Sequence, residues 1–254
     1  MVLFPITIQT FDGISVLRDD LLPGGSKSVL AEHVIHQNPD KREFIYASPV
    51  YGGFQIALSI YCKLHNKQAV IFCARHKIKH RNTLICKQLG AKIVEVYPGY
   101  LSVVQYRALE YASKNDNRLY INFGAYSEEN LGLLVKRAQK VIAKWKKAPK
   151  PVGAPPKKAE PDEIWIAVGS GTLLTAILEA TTRTHIYGVQ VGAEVTIKDP
   201  RVTIIKYDRP FEYESPFETP FPSMSHYDRK AFEMLIQKRG YHPKKNILFW
   251  NVMG

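Results

Sequence analysis

Cysteine, acidic charge and long apolar runs are all scarce in this chain of 254 residues. The three cysteines, Cys62, Cys73 and Cys86, are odd in number and lack Cys-x-x-Cys spacing, which argues against a disulfide framework or a zinc site and predicts reduced, mostly buried thiols. No apolar run approaches the ~20 residues that a bilayer helix needs, and the opening Met1-Val2-Leu3-Phe4-Pro5 has neither the basic start nor the apolar core of a secretory leader. The expectation is a folded cytoplasmic protein with no membrane segment. No internal repeat is visible, and no metal-binding spacing.

What is present is base. Lys and Arg number 35 against 23 Asp and Glu, a formal net charge of +12, on an otherwise ordinary globular balance of 45% hydrophobic and 11% aromatic residues. The excess gathers in Arg75, Lys77, Lys79 and Arg81, followed by Lys87 and Lys92, and in the lysines between Lys136 and Lys158. Such patches hold nucleic acids by releasing counterions. The plainer alternative is a solvated face and a linker.

From Glu43 onward strand and helix patterns alternate. Strands are read at Glu43–Ala47 and at residues 69–74, 92–97 and 118–122, with helices at residues 53–65, 83–90 and 102–114 and at Glu128–Lys147. That alternation builds a parallel α/β layer. Residues 148–158, with four prolines, read as a stiff exposed loop. Strands follow at residues 164–168, 184–190, 202–207 and 246–251, with a helix from Tyr227 or Asp228 to Arg239. Residues 210–225 carry four prolines and four aromatics without period and read as a loop covering something.

Two segments carry chemistry. Pro23-Gly24-Gly25-Ser26-Lys27 sets one lysine on a glycine turn before a helix-like run. A partly desolvated lysine loses its proton more easily and becomes an amine able to form a Schiff base with a carbonyl compound. The plain reading is a lysine just inside a helix start capped by Ser26. The second segment is Val168-Gly169-Ser170-Gly171-Thr172, a glycine loop between an apolar strand and a helix, which aims N–H groups and a positive dipole end at an anion such as phosphate. It is neither a dinucleotide fingerprint nor a Walker loop.

With Lys27, the loop of residues 48–54, the loop of residues 169–172 and Asn251 in that order, the chain resembles the pyridoxal-phosphate enzymes of the tryptophan-synthase-β type, fold type II. Closest in pattern are aminocyclopropane-carboxylate deaminases and D-cysteine desulfhydrases. Asp19 to Lys27 is similar to the family segment whose lysine carries the cofactor, Leu89-Gly90-Ala91 to a strand entry, and His226-Tyr227-Asp228-Arg229-Lys230-Ala231 to the family's "val-tyr-glu-gly-lys-ser/ala". The resemblance implies an α/β fold of two open, twisted, mostly parallel sheets flanked by helices. It implies a larger cofactor-binding domain of residues 1–42 and 126–254 and a smaller α/β domain of residues 43–125. Pyridoxal 5'-phosphate is the implied cofactor, carried by Lys27, with Gly169, Ser170, Gly171 and Thr172 at its phosphate, Asp228 at its pyridine nitrogen and Asn251 beside it. Tyr227 becomes the proton-transfer or substrate-contact residue, and a homodimer is implied.

The substrate loop is Ser48, Tyr51, Gly52, Gly53 and Phe54, with glycine where the family pattern has asparagine. Together with the +12 charge this points away from a free amino acid and toward a larger anionic substrate. One setting it resembles is the bacteriophage synthesis of hypermodified thymines, in which a pyridoxal-phosphate lyase decarboxylates an amino acid already attached to the base in DNA. In that setting Val50, Tyr51 and Phe54 would line an apolar niche for the carboxylate, and the Arg75, Lys77, Lys79, Arg81 patch and the lysines of residues 144–158 would follow the DNA. The location would then be the host-cell cytoplasm. The alternatives are a deaminase or desulfhydrase of a free small amino acid, and a non-catalytic nucleic-acid-binding protein on a degenerate enzyme fold.

Overall fold

A computed structural model describes residues 4–192, 194–241 and 243–254. The opening residues 1–3, part of the leader reading, lie outside the described residues. In chain order the chain forms β1 (Ile8–Phe11), β2 (Ile14–Arg18), α1 (Ser28–His36), β3 (Glu43–Ala47), α2 (Phe54–Leu64) and β4 (Gln68–Ala74). There follow α3 (Arg81–Gln88), β5 (Lys92–Val96), α4 (Leu101–Ala112), β6 (Arg118–Ile121), α5 (Glu128–Lys147) and β7 (Glu163–Val168). The last are α6 (Thr172–Ala180), β8 (His185–Gln190), β9 (Val202–Lys206), α7 (Asp228–Arg239) and β10 (Ile247–Asn251).

By packing these divide into residues 23–127 and residues 4–22 with 128–254. The first unit holds a wholly parallel sheet in the order β5-β4-β3-β6. Its central strands are buried along nearly their whole length, as the unbroken apolar run Ala69 to Cys73 requires of a strand covered on both faces. Val104 and Ala108 of α4 close one face over Ile45, Val70 and Phe72. The second unit holds six strands in the order β1-β2-β10-β7-β8-β9, parallel except for β1. Trp145 and Ala138 of α5 pack with Ile164, Ile166 and Trp250 on one face, and Phe232 of α7 packs with Trp165 and Phe249 on the other.

The fold is therefore the expected two-sheet α/β architecture, with two differences in detail. Residues 23–42 belong with the smaller sheet rather than with the larger part, because α1 packs along α2. The hairpin β1–β2 is unanticipated; its turn is Asp12-Gly13, both residues at positive φ. No helix among the described residues is long and apolar enough to cross a membrane. The three cysteines are free and buried, and burial pushes the Cys73 and Cys86 thiols up to about 11.

Candidate active site

In the smaller unit, Lys27 closes a 3-10 turn that leads directly into α1. Gly24 sits at φ +91°, and a Cβ there would lie 2.7 Å from the Ala57 Cα of α2, so only glycine lets the turn press against that helix. Ser28 Oγ donates to the Pro23 carbonyl at 2.5 Å and closes the turn from the other side. Ser26 is buried, and Lys27 itself occupies the cap position of α1. The ammonium is thus carried on a rigid, half-buried shoulder.

The substrate loop lies at the carboxyl end of β3, in the same unit. Gln55, fully buried, donates through Nε2 to the carbonyls of Pro49 (3.3 Å), Val50 (2.9 Å) and Gly52 (2.9 Å), and Asn82 Nδ2 donates to the Tyr51 carbonyl at 3.2 Å. The Gly52 N–H is also taken within the turn, by the Pro49 carbonyl at 2.8 Å, and Gly53 leads into α2 without a side-chain cap. Ser48 is turned inward, its Oγ donating to the Pro49 carbonyl. Gly52 is glycine for a local reason: a Cβ would come 2.9 Å from Ser48 Oγ and 3.1 Å from the Pro49 oxygen. Tyr51 stands edge-on to His80 at 4.3 Å. Phe54 does not line a niche; it is buried against Tyr46, ring centroids 4.8 Å apart.

The larger unit holds the glycine loop at the carboxyl end of β7. Gly171, at φ +86°, caps α6 without any side-chain bond, and the Ser170 and Thr172 hydroxyls lie 3.2 Å apart beside it. The first N–H groups of α6 therefore have no partner within the helix. A Cβ on Gly169 would meet the Tyr227 hydroxyl at 2.9 Å, and one on Gly192 would meet the Gly169 Cα at 3.3 Å. The Tyr227 hydroxyl thus rests on the glycine loop. Asp228, fully buried at the start of α7, accepts from the Val252 N–H at 3.0 Å and the Met253 N–H at 3.1 Å, which ties α7 to the end of β10. Asn251, also fully buried, donates to the Pro222 carbonyl at 2.8 Å while its Oδ1 has no hydrogen-bond partner. Gly169, Ser170, Gly171, Thr172, Tyr227, Asp228 and Asn251 all lie on this one unit.

The family described as "Pyridoxal-phosphate dependent enzyme" matches residues 10–241. The chain belongs to this family. Its cofactor is pyridoxal 5'-phosphate. Among solved structures the family fold is similar to "the ACC deaminase homologue", with a TM-score of 0.76 at 17% identity over 99% of this chain and 90% of that one. It is also similar to O-acetylserine sulfhydrylase isoform 3 from Entamoeba histolytica (TM-score 0.67, 13% identity, 98% and 85%). A third likeness is to the O-acetylserine dependent cystathionine beta-synthase from Helicobacter pylori (TM-score 0.66, 14% identity, 98% and 92%). No curated protein sequence matches significantly.

The residues present fit the family's cofactor. A close glycine cradle with Gly171 at positive φ, two hydroxyls and an uncapped helix start suit a phosphate, and an orphaned buried amide oxygen at Asn251 suits a donor. The basic patch behaves differently from segment to segment. Arg75, Lys77, Lys79 and Arg81 are all exposed on the loop after β4 or the start of α3, and among the described residues Lys79 alone of the four forms an ion pair, with Glu95. Of the later lysines, Lys157 is not directed outward: it donates to the carbonyls of Trp145 (2.6 Å) and Ala148 (2.9 Å) and closes the end of α5. Lys158 pairs with Asp162.

Sequence reading missed the supports of the site. Gln55 and Asn82 serve turn carbonyls, and nothing in their local sequence marks them. Lys230, fully buried, donates to the carbonyls of Pro210 (2.9 Å) and Phe211 (3.2 Å), and Glu233 accepts from Tyr207 and Ser215. These pin the 210–225 segment to α7. Burial pushes the Lys230 ammonium down to about 8, against the opposing pull of Glu212 and Glu233.

Proposed function

We propose that the protein is a lyase acting at the α-carbon of an amino-acid group borne by a thymine base of DNA, from which it removes the carboxylate. The observation that carries this reading is the substrate loop and its surroundings. With glycine at position 52 the loop brings no side-chain amide to a free amino acid's carboxylate, and residues 23–127 hold 14 Lys and Arg against 6 Asp and Glu. That is a formal +8 of the chain's +12 on one unit. A small amino acid has no use for such a field; a polyanion does.

Pyridoxal phosphate supplies an electron sink for the negative charge left at the α-carbon when a bond there breaks. The chain's own residues would divide the remaining work. Lys27 holds the cofactor through its amine, and the open N–H groups of α6 with Ser170 and Thr172 receive its phosphate. Asp228, fixed by two main-chain N–H groups, is a carboxylate that cannot rotate away and so can hold a proton on the ring nitrogen. The Tyr227 hydroxyl or the Lys27 amine returns a proton to the product carbon. A homodimer in the cytoplasm is part of this proposal, on the strength of the family resemblance. The second reading, a deaminase or desulfhydrase of a free amino acid, draws on the similarity over nearly the whole chain to a structure described as an ACC deaminase homologue.

The test is a pair of measurements. Purified protein should show a visible absorption band that Lys27→Ala removes, and it should release carbon dioxide from DNA carrying an amino-acid-substituted thymine but not from free amino acids. Turnover of free amino acids alone would overturn the first reading in favour of the second.

A further inference from the structure

Each of the four parallel strands of the smaller unit ends in a loop on the same edge of the sheet, and those loops share one composition. After β5 stand Tyr97 and Tyr100, 84% and 73% exposed; after β6 stands Tyr126, 52% exposed. After β4 stand Arg75, Lys77 and Arg81, all exposed and, among the described residues, without an ion pair. Between Glu43 and Glu95 the chain has no carboxylate side chain and eight lysines or arginines. With the strand order β5-β4-β3-β6, the cations lie one strand from the Tyr97 and Tyr100 edge, and Tyr126 lies at the opposite edge, beyond the substrate loop of β3. Neighbouring strands are ~4.8 Å apart, so the edge is about 15 Å long.

Tyr97, Tyr100 and Tyr126 present their rings to solvent, and duplex DNA offers such rings nothing to stack on because its bases are already stacked. We propose that this edge binds single-stranded or locally unpaired nucleic acid, with Tyr97, Tyr100 and Tyr126 as stacking platforms for bases and Arg75, Lys77 and Arg81 as phosphate contacts. This deepens the reading that DNA bears the substrate: a base drawn into an enclosed site leaves the duplex stack, at a cost that is least when the strand is already unpaired. It is read through binding, so it and the proposed activity can fail separately.

The experiment is fluorescence anisotropy of a labelled thymine-rich single strand of about 12 nucleotides and of the same sequence as duplex, using cofactor-loaded protein. Expected are tighter binding of the single strand, a loss of about 5- to 150-fold for each of Tyr97→Ala and Tyr100→Ala with an unchanged salt slope, and a salt slope shallower by about 2 in the triple variant of Arg75, Lys77 and Arg81 to alanine. All six side chains are exposed, and an unchanged visible spectrum checks that each variant is folded. Binding is read without turnover, so failure of the lyase reading leaves this result intact. The inference is overturned if duplex binds as tightly as single strand, if heparin or anionic vesicles are held equally well, or if the tyrosine variants change only the oligomeric state.

Discussion

Replacing Gly188 by alanine sets two effects of opposite sign against each other. Gly188 lies in β8, and strand propensity alone favours alanine over glycine by roughly 0.5–1 kcal/mol. The added Cβ, however, would lie 2.4 Å from Leu174 Cδ1, 2.9 Å from Val168 Cγ2 and 3.1 Å from Ile204 Cδ1. Carbon pairs settle at about 3.5–4.0 Å, so Leu174 would have to give way by more than about 1 Å. Leu174 and Val168 are 1% and 2% exposed, and valine is stiff at χ1, so neither can swing aside into open space. Overpacking costs about 1–3 kcal/mol, and an approach of 2.4 Å belongs in the upper half of that range, so a loss of about 1–2.5 kcal/mol remains after the propensity gain. For a chain of this size, at roughly 2–4 °C per kcal/mol, Tm should fall by about 2–10 °C. Val168 immediately precedes the glycine loop and Leu174 lies in the first turn of α6 that follows it. The same strain should therefore weaken pyridoxal phosphate binding, read by titrating the apoprotein and following visible absorbance. A variant with Tm within about 1 °C of wild type and unchanged cofactor affinity would refute the reasoning.

The buried pair of Arg137 and Asp19, 2.5 Å apart, predicts that Asp19→Leu loses about 3–5 kcal/mol by stranding a guanidinium, and that adding Arg137→Met recovers most of it. Denaturant midpoints at constant slope decide the matter; equal stability of the single and double variants would show that no charge is stranded. Lys230 predicts a pH dependence. Its folded-state pKa of about 8 lies below the ordinary 10.5, so the unfolded chain binds the extra proton between those values and stability rises with pH across that window. Wild type should gain Tm relative to Lys230→Met from about pH 7.5 to about pH 9.5; parallel curves would mean that the ammonium is hydrated.

How far the sequence showed this depends on where each signal lives. The apolar run Ala69 to Cys73, the amphipathic length of α5 and the strand, glycine loop and helix around Gly171 are local, so they were legible and stand close to where they were read. Boundaries moved where a cap is unusual: α3 starts at Arg81, two residues early, because the His80 ring accepts the Asn82 N–H. The β1–β2 hairpin carried a true Asp-Gly turn signal, but β2 is buried at every position and shows no alternation to mark it as a strand. The place of residues 23–42 hangs on the contact of Gly24 with Ala57, which no local pattern reveals.

The same distinction separates the cofactor from the substrate. Consecutive residues such as those of the Gly169 to Thr172 loop can suit a phosphate, and that kind of signal is local enough to read in sequence. A substrate too large for the loop after β3 would be met by side chains drawn from several strand ends at once. Tyr97, Tyr100 and Tyr126 are three isolated tyrosines in the sequence and become a set only when strand order places their loops on one edge. Gly52 shows the converse. In sequence it reads as a lost donor and hence as evidence about the substrate, whereas the 2.9 Å approach of Ser48 Oγ adds a local steric reason for a small residue there. A nucleic-acid substrate is favoured less by what the loop has lost than by what surrounds it: an acid-free stretch from residue 44 to residue 94 in which Arg75, Lys77 and Arg81 are exposed, beside the exposed Tyr97 and Tyr100.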